Sequence, residues 1–244
     1  MKEQFQKSSD YYYPGTKILK NNYNVSPALF QNFPASSDVA REEACQMLLN
    51  SLERKVVSVR MLVLIDNPIH GDFDFNHLKS IHKFLFQDIY PWAGEIRACD
   101  ISKKNLFCRV MFIDFAAKEI FKMIKDYNYF INMSISDKKY YIVKTFSDIN
   151  ALHPFREGNG RTQREFVEEL SKINGLDLDL TTISQNDMIK ASHLSMLGDN
   201  TMLEKLFNEL FVEVSLEQQI DFINAYCSEE LASKLITNLR KRVR

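Results

Sequence analysis

A mainly α-helical protein, a helical bundle carrying one small β-hairpin, is the fold class that this sequence predicts. Three observations lead there. Seven glycines and six prolines are all that punctuate 244 residues. Apolar residues recur at spacings of three and four through most of the chain. One stretch, residues 96–110, loses that period and places Ser102-Lys103-Lys104-Asn105 between two short β-favouring arms.

The elements follow in order. Residues 1–36 read as an irregular leader that packs on the core, with Tyr11-Tyr12-Tyr13-Pro14-Gly15-Thr16 as a tight turn and Pro27 and Pro34 opposing a long helix. Ser37 or Asp38 caps a first helix with Ala44, Met47, Leu48 and Leu52 on one face. A second helix starts at Asp74, turns Phe75, Leu78, Ile81 and Leu85 inward, and stops at Tyr90-Pro91-Trp92-Ala93-Gly94. After the hairpin, Ala116, Ile120, Ile124 and Tyr127 mark a third helix, and residues 136–152 a fourth that ends at His153.

A fifth helix runs over residues 162–174 with Phe166, Leu170 and Ile173 inward and Gly175 as its C-cap. Ser184 with Asp187 opens the next helix, and Asn200 caps the one after it. From residue 217 the tail reads as one helix with Leu231, Leu235 and Leu239 in a stripe, and its basic end (Arg240, Lys241, Arg242, Arg244) suits the helix dipole. The organisation expected is a leader (1–36), a central domain (37–212) and a C-terminal helical extension (213–244).

Composition excludes several functions. Thirty-one Lys and Arg balance 32 Asp and Glu, leaving a net charge of -1, so no global basic field recruits nucleic acid or an anionic membrane. The longest apolar stretch, residues 61–65, is too short to cross a bilayer. With no signal-like start, a cytoplasmic location is expected, leaving open export to another cell. Cys45, Cys99, Cys108 and Cys227 lack metal-finger spacing and read as free thiols, although Cys99 and Cys108 would face each other across the hairpin. His70, His77, His82 and His193 form no zinc pattern and read as structural or exposed.

The chemistry is concentrated in residues 153–164, His-Pro-Phe-Arg-Glu-Gly-Asn-Gly-Arg-Thr-Gln-Arg. If one helix ends at Leu152 and another opens near Arg161, its first turn presents unpaired N–H groups. Gly158 and Gly160 let phosphate oxygens approach that backbone, which makes an anion site. Arg161 and Arg164, three residues apart, offer two guanidinium forks to a triphosphate. Glu157 is the lone carboxylate that a magnesium ion beside phosphates uses. Histidine is the side chain whose ordinary pKa lies near neutrality, so His153 can accept a hydroxyl proton.

These residues resemble the signature of the Fic family, His-x-Phe-x-(Asp/Glu)-Gly-Asn-Gly-Arg-x-x-Arg, at every specified position. Residues 78–86 and 90–97 are similar to the helix and turn before the family's hairpin flap, and the resemblance spans roughly residues 10–212. It implies a Fic fold that transfers AMP from ATP to a Tyr, Thr or Ser hydroxyl of a target protein and releases pyrophosphate. His153 would then be the general base, Glu157 the Mg2+ residue, and Gly158, Asn159 and Gly160 the anion hole. Arg161 and Arg164 would grip the terminal phosphates, and Phe155 would anchor the loop in the core.

The flap, Ile101 with Ser102, Lys103 and Lys104, would dock an extended target segment by strand addition. Family members with an inhibitory helix carry a Ser or Thr, three residues, Glu, then Gly or Asn. Here Ser195 to Asn200 comes nearest, with Asp199 in the acidic place. That leaves a separate small inhibitory protein, a diverged motif, or neither. Gly160 favours AMP transfer over the family's phosphotransferases, while phosphocholine transfer and a binding module acting by association are the alternatives. Self-modification of a tyrosine is a further expectation.

Overall fold

The computed structural model describes residues 7–30, 37–103 and 105–242. Expectations for residues 1–6, Pro34, Lys104 and Arg244 lie outside that range. Helices dominate: α1 (Asp38–Asp66), α2 (Phe75–Phe86), α3 (Ile113–Asp126), α4 (Ile135–Leu152), α5 (Asn159–Ile173), α6 (Gln185–Met196), α7 (Thr201–Asn208), α8 (Leu216–Tyr226) and α9 (Glu229–Arg242). A hairpin, β1 (Ser102–Lys103) with β2 (Asn105–Leu106), pairs antiparallel, as do β3 (Leu176–Asp177) and β4 (Val212–Glu213).

Helix α5 is the hub. Its Phe166, Val167, Leu170 and Ile173 are wholly enclosed, and it packs against α2, α4 and α8. Such fully apolar contact between helices is the main favourable term of the fold. Gly175, with φ +77°, follows the Asn174 C-cap and ends the helix as expected. Ser37, Asp74, Ser134 and Ser184 each accept a backbone N–H at the start of their helices.

Several expectations are corrected. The buried ridge of α1 is Cys45, Leu49, Val57 and Leu64, while Met47 and Leu48 face solvent. Apolar residues surround that helix, so spacing alone selected the neighbouring face. Asn200 does not cap α7 with its side chain; Asp199 Oδ1 accepts from Thr201 N–H instead. The tail is two helices, broken at Cys227-Ser228, with Leu231, Leu235 and Leu239 in the common core. The β3–β4 pair, too short to show alternation, was absent from the sequence reading.

The leader folds back on the core. Gly15 (φ +72°) turns a small clasp closed by the Tyr12–Leu19 bridge and by Lys20 N–H donating to Tyr11 C=O at 2.8 Å. Tyr11 is buried edge-on to Trp92, and Trp92 stacks on Tyr90 with 4.4 Å between centroids. Aromatic packing thus fixes the segment that enters the flap.

Candidate active site

Helix α4 ends one residue before His153, which adopts a left-handed conformation (φ 44°, ψ 60°) and donates its N–H to Ile149 C=O at 3.0 Å. A side chain held there carries backbone strain, which marks functional turns. Its Nδ1 lies 3.3 Å from Asn150 C=O. A carbonyl can only accept, so the proton sits on Nδ1 and Nε2 is the basic nitrogen. The ring is 9% exposed and stacks on Phe107 of the flap at 3.7 Å.

The turn from 154 to 158 is built around His82. Phe155 is buried and its ring stacks on His82 at 3.9 Å. Gly94 N–H donates to His82 Nδ1 at 2.8 Å, so Nε2 carries the proton and donates to Glu157 C=O at 2.9 Å. Burial pushes the His82 pKa down to about 3, which keeps the imidazole neutral. Asn159 closes the turn by accepting Phe155 N–H at 2.9 Å and donating to Phe155 C=O at 2.8 Å. Its side chain is therefore committed to the loop.

Helix α5 begins at Asn159 behind Gly158, which has φ +82° and offers no capping side chain. A Cβ there would come within 2.5 Å of the Phe86 ring, whereas a Cβ on Gly160 would meet only Arg164 Nη1, at 3.6 Å. The two glycines thus serve different needs: Gly158 a close approach and a left-handed turn, Gly160 an open face. The first-turn N–H groups of α5, at Asn159, Gly160 and Arg161, have no intrahelical acceptor.

The two arginines are not equivalent. Arg161 Nη2 donates to Glu53 Oε1 at 2.5 Å, and its guanidinium lies 4.7 Å over the Phe86 ring. Tyr90 hydroxyl donates to the other Glu53 oxygen. Arg164 makes no ion pair among the described residues, and burial lowers its pKa. Glu168 is its nearby carboxylate but forms no direct ion pair with it, so a half-buried guanidinium one turn into an uncapped helix keeps its donors for an anion.

Arg97 holds the flap to the motif. It is buried, and its guanidinium donates to His153 C=O at 2.9 Å, to Cys99 C=O at 2.8 Å and to Cys108 C=O. Arg97 N–H reaches Pro154 C=O at 2.9 Å, and Cys108 N–H reaches Ala151 C=O at 3.0 Å. The two arms are thus pinned on either side of His153. Of the flap residues expected, Ser102 and Lys103 form β1, and Phe107 N–H donates to Ile101 C=O at 3.3 Å. Cys99 and Cys108 are unpaired thiols.

Glu157 Oε1 accepts from Arg156 Nη1 at 3.1 Å. No group of three or more His, Cys, Asp or Glu residues poised for a metal exists among the described residues. An apolar groove of about 580 Å³ lies beside the flap, lined in part by Leu106, Phe107, Phe115, Ile120, Met123 and Met196, and none of residues 153–164 contributes to it. Glu53, His82 and Arg97 were missed as site residues. His82 and Arg97 fall in the stretches 78–86 and 90–97 that the sequence had flagged, whereas Glu53 sits on α1 with no local signal.

No helix among the described residues is long and apolar enough to cross a membrane. Residues 72–170 match the Fic/DOC family. The chain is 31% identical over 192 residues to the probable protein adenylyltransferase y4lH of Sinorhizobium fredii, covering 77% of this chain and 88% of that protein. It is 32% identical over 177 residues to the protein adenylyltransferase VbhT of Bartonella schoenbuchensis, covering 72% of this chain but 37% of VbhT. In fold it is similar to the BepC protein of Bartonella tribocorum, solved with bound AMPPNP, with TM-score 0.70 at 22% identity over 85% of this chain and 98% of that one. The turn that seats His153 ahead of an uncapped helix, together with these matches, places the chain in the Fic/DOC family.

Proposed function

We propose that this chain is a protein adenylyltransferase that moves AMP from ATP to a Tyr, Thr or Ser hydroxyl of a target protein. The observation that carries the reading is the uncapped start of α5 with Arg164, which makes no ion pair among the described residues, one turn in. Three N–H groups and a bare guanidinium suit the phosphates of a nucleotide. The relatives named protein adenylyltransferase and the AMPPNP held by BepC support the choice of ATP.

In this reading His153 Nε2 takes the proton from the target hydroxyl, whose oxygen attacks the α-phosphorus. The bond to the β-phosphate oxygen breaks and pyrophosphate leaves. Amides at 159–161 and Arg164 hold the charge that builds on the phosphates, and Arg161 adds its remaining donors while Glu53 fixes its position. Magnesium takes one or two protein carboxylates and fills its shell with phosphate and water, so Glu157, whose side chain is 36% exposed, fits it. When bound, the ion neutralises the phosphate charge. The flap, Ile101 with strands β1 and β2, presents a strand edge to an extended target segment.

Incubation of the purified chain with ATP labelled on the α-phosphate tests the proposal. Label should enter a protein in lysate or the chain itself, and His153→Ala should abolish it. If the wild-type chain binds no ATP, the reading is wrong.

A further inference from the structure

The Mg2+ residue expected from the sequence, Glu157, does not stand alone. Its Oε1 accepts from Arg156 Nη1 at 3.1 Å, and Arg156 Nη2 in turn donates to the hydroxyl of Tyr12. The guanidinium lies 5.3 Å over the Tyr12 ring and 5.9 Å over the Tyr11 ring. Arg156 keeps only 14% of its side-chain surface. Contacts with three residues, Tyr11, Tyr12 and Glu157, therefore fix a long, flexible side chain in one place.

Tyr12 is fixed as well. Tyr11 beside it is buried, and its hydroxyl accepts Ala98 N–H at 2.8 Å. Tyr13 N–H donates to Ile18 C=O at 3.0 Å, which closes the clasp on the other side. This segment precedes, by some sixty residues, the region that matches the family model, residues 72–170.

We propose that Tyr12 and Arg156 are positioning residues that hold the Glu157 carboxylate for the metal ion, so that the N-terminal clasp is part of the active site. The proposal rests on the reading of Glu157 as the magnesium residue. Its physical basis is that an exposed carboxylate on a rotatable chain loses orientational freedom when it binds a metal. A carboxylate already tied by one oxygen to a fixed guanidinium has less to lose, and contacts of this outer kind typically change metal affinity by about 10 to 100-fold.

The test compares affinity for a non-hydrolysable ATP analogue in magnesium with affinity in a chelator, by calorimetry on the full chain. The ratio of the two reports the metal's contribution and does not require turnover. Tyr12→Phe keeps the ring and removes only the hydroxyl; it should lower the ratio about threefold to tenfold, and Arg156→Gln about 10 to 100-fold, with the chelator affinity of each within about twofold of wild type. Tyr13→Phe, which removes a hydroxyl that donates to Asn21 C=O at 3.3 Å, should leave the ratio as it is.

Glu157→Gln separates the two ideas. If it removes the magnesium contribution while Tyr12→Phe and Arg156→Gln retain it, the positioning proposal is overturned and the metal reading stands. If Glu157→Gln retains it too, the metal reading falls and the proposal with it. A loss in Arg156→Gln that appears equally in the chelator also counts against the proposal, because a merely structural role would produce it.

Discussion

Replacing each motif glycine by alanine should separate folding from function. At Gly158 the new methyl would sit 2.5 Å from two carbons of the Phe86 ring, which is fully buried and cannot withdraw. The residue also holds φ +82°, a conformation costing an alanine about 1 to 2 kcal/mol. Overpacking a core adds about 1 to 3 kcal/mol, giving a total of about 2 to 5 kcal/mol. At Gly160 the methyl meets only Arg164 Nη1, at an ordinary 3.6 Å, inside helix α5. Alanine there stabilises by about 0.5 to 1 kcal/mol.

Urea unfolding reads the difference: with a slope near 3 kcal/mol per M, Gly158→Ala should unfold about 1 M earlier and Gly160→Ala no earlier than wild type. Calorimetry with an ATP analogue should show the reverse order in function, since in the proposed reading phosphate approaches where the Gly160 methyl would stand. A Gly158→Ala protein as stable as wild type, or a Gly160→Ala protein that binds nucleotide normally, would refute the division of labour.

Other expectations follow from the same contacts. Arg164→Ala should weaken nucleotide binding about 10 to 100-fold, by the loss of a charge-assisted contact, and more than His153→Ala does, with no loss of urea stability. Arg97→Met would remove the guanidinium donor from the carbonyls of His153, Cys99 and Cys108 and should cost about 3 to 5 kcal/mol, read by thermal or urea unfolding. His82 gives a pH dependence. Its folded pKa, about 3, lies below the ordinary 6.5, so its contribution is complete above pH 6.5 and declines as pH falls toward 3. About 3 kcal/mol should go between pH 6.5 and pH 4. Urea midpoints across that range should fall less in His82→Gln than in wild type, and an equal fall would contradict the role assigned to the neutral imidazole.

Much of this was legible from residues alone, for identifiable reasons. Helices with a well-separated apolar stripe, such as α2 and α3, were placed within a few residues, and Ser37, Asp74 and Gly175 marked the ends of α1, α2 and α5. The motif was legible because its residues are contiguous and the glycines require a turn. What failed depended on tertiary partners. The face that α1 buries is set by α2 and the leader, not by its own pattern, in which apolar and polar residues are mixed on every side. The Glu53–Arg161 pair spans 108 residues and could be found only once the chain folded. His82 read as merely structural, because its two hydrogen bonds go to backbone groups of Gly94 and Glu157 that no local spacing announces.

The most direct test of the account uses two samples of ATP, one labelled on the α-phosphate and one on the γ-phosphate, with the wild-type chain and His153→Ala in the same lysate. The account predicts protein-bound label from the α-labelled sample only, and none with His153→Ala. Label from the γ-phosphate, or undiminished labelling by His153→Ala, would contradict it.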